Sequence, residues 1–381
     1  MLKNCCKSLI GILIASVCIE IILRIITPLS QPLRFYTQYS KKTARNYLAN
    51  ITSECKLVPG SLMNGFIINT QGNYSPEYPF DKPPNTKRIV VIGDSAVTAV
   101  VPYTKSFVRV VEQQLKTKTD TQIQFVNLGM PCIGPAIEKE ILTDKGIHYE
   151  PDLILLVFSV SNDFVDDQSY ADTPKEQRRP ESPLQKIIRQ SYLASFLKTQ
   201  YFLRTSPNVN LQNTSNTTAT AGTYVGTEYD ATTPTFSEEN YINLTNTLAD
   251  ILIPNSIPTA RVASVQQPIL EMKKIADNLH AKFLVLLIPA EFQVNMELLA
   301  SAAARMNRVP SDFDIFAPQT ILKTFFHQND IQYMDIASFW QDDPNRQYYY
   351  HPRDTHLNIE GNDSVANALT PIITSLLDLK N

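Results

Sequence analysis

Four short segments of this 381-residue chain hold residue types that could do chemistry together. They are Gly93-Asp94-Ser95, Asn127-Leu128-Gly129, Ser161-Asn162-Asp163 and Asp354-Thr355-His356-Leu357-Asn358. Serine, histidine and aspartate are the set that nucleophilic acyl transfer needs. A serine hydroxyl is a weak nucleophile until an adjacent imidazole accepts its proton. The imidazole in turn needs a carboxylate on its other nitrogen to fix its tautomer and orientation. Preorganised N–H donors then stabilise the oxyanion that attack creates. Taken singly, each segment is commonplace. Gly-Asp-Ser is a frequent turn tripeptide, Asn-Leu-Gly is ordinary at a strand end, and Asn162-Asp163 has the composition of a helix cap. A lone histidine near the carboxyl end is most often a surface residue.

The elements around these segments make the combination more specific. Ser95 follows the run Arg88-Ile89-Val90-Val91-Ile92, which breaks at Gly93. A short continuous apolar run reads as a strand buried on both faces, as in a parallel sheet. The carboxyl edge of such a sheet is where ligands bind. Phe107, Val110, Val111 and Leu115 recur at helical spacing and predict a helix over 104–116. A strand at 123–127, a helix at 135–146 and a strand at 153–158 follow. Residues 166–260 are irregular and rich in Thr, Asn, Ser and Pro, with helix expected near 184–197 and 238–251. An insert of that length in a compact domain reads as a functional lid or a mobile segment. The alternation then resumes with a helix at 262–279, strand 282–288, helix 318–328, strand 331–335 and terminal helix 361–378. Alternating β and α elements with right-handed crossovers predict a parallel, doubly wound α/β sheet with helices on both faces.

The four segments, in this order, spacing and secondary-structure context, resemble the SGNH (GDSL-like) hydrolase superfamily. The resemblance covers roughly residues 88–165 and 330–381 and leaves the insert unmatched. It implies a three-layer α/β/α, flavodoxin-like fold with a five-stranded parallel sheet. It also implies Ser95 as nucleophile, His356 as general base and Asp354 as the carboxylate that orients it. Gly129 and Asn162, with the Ser95 backbone amide, would form the oxyanion hole. No metal or cofactor is implied. Two departures stand out. The superfamily commonly places its aspartate three residues before the histidine, whereas Asp354 is two before His356. That Asp-x-His pattern resembles exported SGNH-type enzymes that acetylate polysaccharides, such as the alginate O-acetylation proteins. Val160, flanked by Ser159 and Ser161, stands where many members carry glycine. Asp163 reads as a helix cap or loop-orienting residue, and Asp94 as a turn stabiliser. Among the other histidines (His148, His280, His327, His351), His351 is the competitor for the role of base. Tyr348-Tyr349-Tyr350 and Trp340 offer a sugar-stacking surface, with core packing as the commoner role for such residues.

Composition limits the setting. A hydrophobic fraction of 43% and a charged fraction of 19% fit a globular protein. The net charge of −3 gives no basic footprint for nucleic acid. Charge is nonetheless uneven. Residues 1–50 hold seven Lys/Arg against Glu20, or +6, so the remainder carries −3 − 6 = −9. Within that basic beginning, Leu9 to Ile26 is an 18-residue apolar run, close to the roughly 20 residues that cross a bilayer. Its charges, Glu20 and Arg24, stand four apart on one helical face, where they can pair. The run therefore reads as an uncleaved signal anchor over residues 1–27, with a cleaved signal peptide as the rival. Residues 28–87, with seven prolines, read as a stalk followed by irregular or short β structure leading into the domain, and 88–381 as the hydrolase-like domain. Cys55 and Cys132 could pair in an oxidising compartment or stay as buried thiols.

Together these observations predict a membrane-tethered, exported serine esterase or O-acyltransferase. Its substrate would be an acylated envelope or extracellular polysaccharide, alongside partners from polysaccharide biosynthesis. A lipid ester hydrolase is the alternative substrate reading. A non-catalytic carbohydrate-binding scaffold is the alternative from a different functional class.

Overall fold

The computed structural model describes residues 57–165 and 220–379, except positions 58, 61, 99, 132 and 255, together with 11 and 15–22 near the amino end. Five parallel strands form the central sheet: β1 (Thr86–Gly93), β2 (Gln122–Asn127), β3 (Leu153–Ser159), β4 (Lys282–Ile288) and β5 (Gln332–Asp335). Their spatial order is β2-β1-β3-β4-β5. The order reverses direction between β1 and β3, which is the switch point where doubly wound sheets bind ligands.

Alternation along each strand divides the core into two layers. Val90 and Ile92, Ile154, Leu156 and Phe158, and Phe283, Val285 and Leu287 face one side. Ile89 and Val91, Leu153, Leu155 and Val157, and Leu284 and Leu286 face the other. Both faces are apolar because successive side chains of a strand point to opposite sides and helices cover each side. The first face is covered by α2 (Pro135–Asp144), α4 (Thr259–Asn278), α5 (Met296–Arg305) and α6 (Ala317–Gln328). The second is covered by α1 (Phe107–Lys116) and α7 (Ile359–Leu376). Full burial of each large aliphatic or aromatic side chain here contributes about 1.5–3 kcal/mol. The expected three-layer α/β architecture is thus present.

The segment before β1 does more than lead in. Leu62–Met63 and Phe66–Ile67 form a two-residue-per-strand hairpin, and Phe66, Ile68 and Tyr74 are buried in the core. A strap from the carboxyl end of the expected insert pairs with this hairpin. Ile67 N–H donates to Thr223 O at 2.9 Å, and Val225 N–H to Gly65 O at 2.8 Å. The strap leads into α3 (Glu238–Leu248), capped by Ser237 Oγ, which accepts from Asn240 N–H at 3.3 Å.

Several expectations fall outside the described residues: the helix near 184–197, the Cys55–Cys132 pairing and most of the apolar run 9–26. Positions 15–22 of that run are helical. Among the described residues, no helix is long and apolar enough to cross a membrane.

Candidate active site

The turn that presents Ser95 is built by tight packing at the end of β1. Gly93 sits against the neighbouring strand, where a Cβ would come within 3.0 Å of Val157 O. Asp94 then caps a 3-10 turn, Ser95–Val97, by accepting Ala96 N–H at 2.8 Å. The Asp94 side chain is buried beneath the turn, whereas Ser95 is part-exposed. The corner thus has a buried acid below and an accessible hydroxyl, Ser95 Oγ, above.

His356 approaches from the loop between β5 and α7. Its Nε2 lies 2.8 Å from Ser95 Oγ, and its Nδ1 lies 2.5 Å from Asp354 Oδ1. A carboxylate acceptor on Nδ1 selects the tautomer with the proton there and leaves Nε2 to accept the serine proton. Asp354 Oδ1 also accepts the His356 backbone N–H at 3.0 Å. One carboxylate oxygen therefore holds both the backbone and the ring of the residue two positions on, as an Asx-type turn does. This accounts physically for the Asp-x-His spacing.

Charge follows this geometry. Burial alone would raise the Asp354 pKa, but the hydrogen bond and charge of His356 outweigh it and hold the carboxyl below its ordinary value. Burial disfavours the imidazolium of His356, yet the hydrogen bond and charge of Asp354, with Asp94 further off, raise its pKa. Asp94 is fully buried, and burial raises its pKa despite hydrogen bonds from Ala96 and Asn162.

Asn162 lies on the far side of Ser95. Its Nδ2 donates to Asp94 Oδ2 at 2.7 Å, and its Oδ1 accepts from Ser161 Oγ at 2.8 Å. Ser161 is in turn within 3.0 Å of Ser159 Oγ, and Asp163 Oδ2 accepts Ser159 N–H at 2.7 Å. The serines flanking Val160 thus set the rotation of the Asn162 amide. Ser95 N–H makes no hydrogen bond among the described residues.

Gly129 departs from expectation. Its N–H donates to Asn127 Oδ1 at 2.9 Å, while Asn127 Nδ2 donates to Val97 O at 3.0 Å. The Gly129 amide, expected in the oxyanion hole, is thus engaged by the Asn127 side chain in this structure. The glycine has a steric role instead: a Cβ there would fall 1.8 Å from Val97 Cγ2, directly under the nucleophile turn.

Other expectations separate just as clearly. His351 does not reach Ser95. Its Nδ1 lies 3.1 Å from Tyr229 Oη and its Nε2 3.1 Å from Thr233 O, both on the strap. His148 and His280 precede β3 and β4, at the opposite edge of the sheet, and His327 lies 3.1 Å from Tyr333 Oη. Trp340 is fully buried with Nε1 donating to Ser364 Oγ at 2.8 Å, and Tyr350 is buried with its hydroxyl on Pro289 O. Tyr349 Oη donates to Asp343, so of this group only Tyr348 presents an exposed ring.

The strap is the part that sequence reading missed. Thr235 N–H donates to Pro352 O and Phe236 N–H to Arg353 O, both at 3.2 Å. Tyr241 of α3 reaches the Asp354 carbonyl at 2.9 Å. The carboxyl end of the insert thereby clamps the loop that carries Asp354 and His356.

No family model and no curated protein sequence matches the chain. Among solved structures, the chain is similar to a lipase/acylhydrolase from Enterococcus faecalis at 10% identity and a TM-score of 0.39, covering 78% of this chain and 100% of that one. It is similar to TesA at 11% identity and a TM-score of 0.39, covering 76% and 99%. Axe2, an acetylxylan esterase from Geobacillus stearothermophilus, matches at 10% identity and a TM-score of 0.40, covering 76% and 94%. Likeness this loose has no bearing on activity, which has to be argued from the chain's own residues.

Proposed function

We propose that this chain is a serine-dependent carboxylic ester hydrolase of SGNH type, acting on acyl esters of a carbohydrate through an acyl-Ser95 intermediate. O-acetyl is the preferred acyl group transferred to Ser95. One observation supports this above all others: the hydrogen-bonded line from Ser95 Oγ through the His356 imidazole to Asp354, joining residues 261 positions apart at the carboxyl edge of the sheet.

Ser95 Oγ attacks the acyl carbonyl carbon, its proton passes to His356 Nε2, and the carbonyl electron pair moves to oxygen. Asp354 holds the imidazole and balances the imidazolium. Ser95 N–H and the Asn162 side-chain amide are assigned to the oxyanion, each such donor being worth about 10²–10³ in rate. Collapse of the tetrahedral intermediate expels the alkoxide, which takes the proton from His356 and leaves acyl-Ser95. Water then gives a proton to the same imidazole and attacks the acyl carbon, and collapse of this second tetrahedral intermediate breaks the bond to Ser95 Oγ, which takes the proton back from His356 as the acid leaves.

A sugar hydroxyl in place of that water would make the enzyme an O-acyltransferase. The two-residue spacing of Asp354 and His356 favours this second reading. The apolar run 9–26 supports a membrane tether with the acidic body on the exported side, near an envelope polysaccharide and its biosynthetic partners.

A fluorophosphonate probe should label the wild-type protein and fail on Ser95→Ala. Folded wild-type protein that resists the probe would overturn the catalytic reading and favour a carbohydrate-binding scaffold. Acetylated xylo-oligosaccharide, incubated with and without an unacetylated acceptor, separates acetyl release from acetyl transfer, and a preference for a lipid ester would redirect the substrate class.

A further inference from the structure

Behind Asp354 lies a second acid that acyl transfer does not use. Glu291 opens the short helix Glu291–Val294 that follows β4. Its Oε1 accepts Asn295 Nδ2 at 3.1 Å, and its Oε2 is hydrogen-bonded to the Tyr241 hydroxyl. The same hydroxyl lies 2.9 Å from the Asp354 carbonyl oxygen. Tyr241 is itself buried.

The proton count decides the state of this triplet. A tyrosine hydroxyl carries one proton, whereas a carboxylate and a carbonyl are both acceptors only. With Glu291 ionised, Tyr241 can satisfy one of the two oxygens and faces the other lone pair to lone pair. With Glu291 protonated, the carboxyl O–H donates to Tyr241 and Tyr241 donates to Asp354 O, so every contact is matched. The surroundings favour the second state. The groups facing Glu291 are Tyr241 from α3, Tyr350 and Asp354 from the histidine loop, and Asn295 from its own turn. Among the described residues, no lysine, arginine or histidine pairs with it. Burial, with the Asp354 charge adding to it and the Tyr241 and Asn295 hydrogen bonds opposing, raises its pKa to about 7.

We propose that Glu291 is a positioning residue held as the neutral acid. Its proton completes a relay through Tyr241 that fixes the backbone of Asp354, and with it the orientation of His356. The functional consequence rests on the esterase reading above, because what the relay positions is the partner of the general base.

The sign of the pH dependence follows. Glu291 is part-buried, and an acid whose folded-state pKa lies above its ordinary value near 4.5 stabilises the fold fully below that value, the contribution being lost as pH rises through about 7. Glu291→Gln replaces the carboxyl proton by an amide N–H that no pH in this range removes. Thermal unfolding of wild type and Glu291→Gln from pH 5 to pH 8.5 should show the wild-type Tm falling relative to the variant by at least about 2 °C. The ratio of Ser95 labelling rates with a fluorophosphonate, variant over wild type, should rise at least about twofold over pH 6–8.5. In a Tyr241→Phe background, which keeps the ring and removes the relay hydroxyl, the rise in that ratio should vanish.

Parallel Tm profiles would overturn the neutral-acid assignment. Diverging Tm profiles with parallel labelling profiles would overturn the positioning role and leave a merely structural acid. If no form labels at any pH, the esterase reading and the positioning role fall together, while the Tm comparison still decides whether Glu291 is held neutral.

Discussion

In the proposed mechanism His356 acts as a base only while its imidazole is neutral, so its neighbours would decide where on the pH scale Ser95 becomes reactive. Burial pulls the imidazole pKa down, but Asp354 and Asp94 pull harder and leave it raised. The Ser95 labelling rate should therefore climb with pH about a midpoint above the ordinary histidine value of about 6.5. The same raised pKa means that the charged pair stabilises the fold fully below about pH 6.5 and loses that contribution as pH rises through the folded-state value. Asp354, whose pKa is depressed, contributes above its ordinary value of about 3.8 and loses its share as pH falls. Asp354→Asn keeps the shape and removes the charge. Its labelling midpoint should move down and its plateau rate should fall by about 10²–10⁴. Labelling rates from pH 5 to 9 read both quantities, and an unmoved midpoint would contradict the electrostatic assignment. Residue types alone were enough to bring Ser95, Asp354 and His356 under suspicion, because few residues perform this chemistry. They could not show which backbone amides are spare. Gly129 loses its N–H to Asn127, two positions away, through a side-chain orientation that exists only once Val97 has folded over it.

At the scale of elements, Gly129 is the point where the β2 loop and the nucleophile turn press together. Gly129→Ala would drive a methyl group to 1.8 Å from Val97 Cγ2 with Gly93 O only 3.2 Å away. Neither wall is a flexible chain end, so the turn has to move. The cost should be about 1–3 kcal/mol in denaturant unfolding, accompanied by loss of Ser95 labelling as Oγ leaves the reach of His356. Unchanged stability and labelling would show that the turn yields freely. The strands and flanking helices of the sheet were legible because a two-faced apolar run or an apolar stripe announces itself by period. Helix α5 was not assigned, although its Leu- and Ala-rich stretch Met296–Arg305 favours helix, because it lies off the strict βα alternation. The strap over 222–241 was legible least of all. Its role comes from backbone hydrogen bonds to the hairpin and to the histidine loop, and hydrogen bonds to a distant backbone leave no periodicity behind. The proline-rich segment before β1 was legible as short β structure, which the hairpin Leu62–Met63/Phe66–Ile67 supplies. Its prolines gave no hint that Phe66, Ile68 and Tyr74 anchor that structure in the core.

At the scale of the whole chain, charge and hydropathy divide the molecule unequally. The first 50 residues carry +6 and the apolar run Leu9–Ile26, and the remainder carries −9. An 18-residue apolar helix would span about 27 Å at 1.5 Å per residue, close to the hydrocarbon thickness of about 30 Å. Lys3 and Lys7 on one side and Arg34 on the other fall where basic side chains can reach headgroups. Glu20 and Arg24, four apart, can neutralise one another within the run, which lowers the cost of burying either. Pairing matters here, because an unmatched charge at mid-bilayer costs about 2.5–3.5 kcal/mol on insertion scales. The proposed tether predicts that the chain sediments with membranes and stays there through alkaline carbonate, which strips proteins held by charge alone. Glu20→Ala leaves Arg24 with no acid four positions before it and should increase the carbonate-soluble fraction, whereas Glu20→Leu with Arg24→Leu should hold the chain more firmly than wild type. Release of the wild-type chain by carbonate would exclude a spanning tether, and Ser95 would then have to reach its ester from solution.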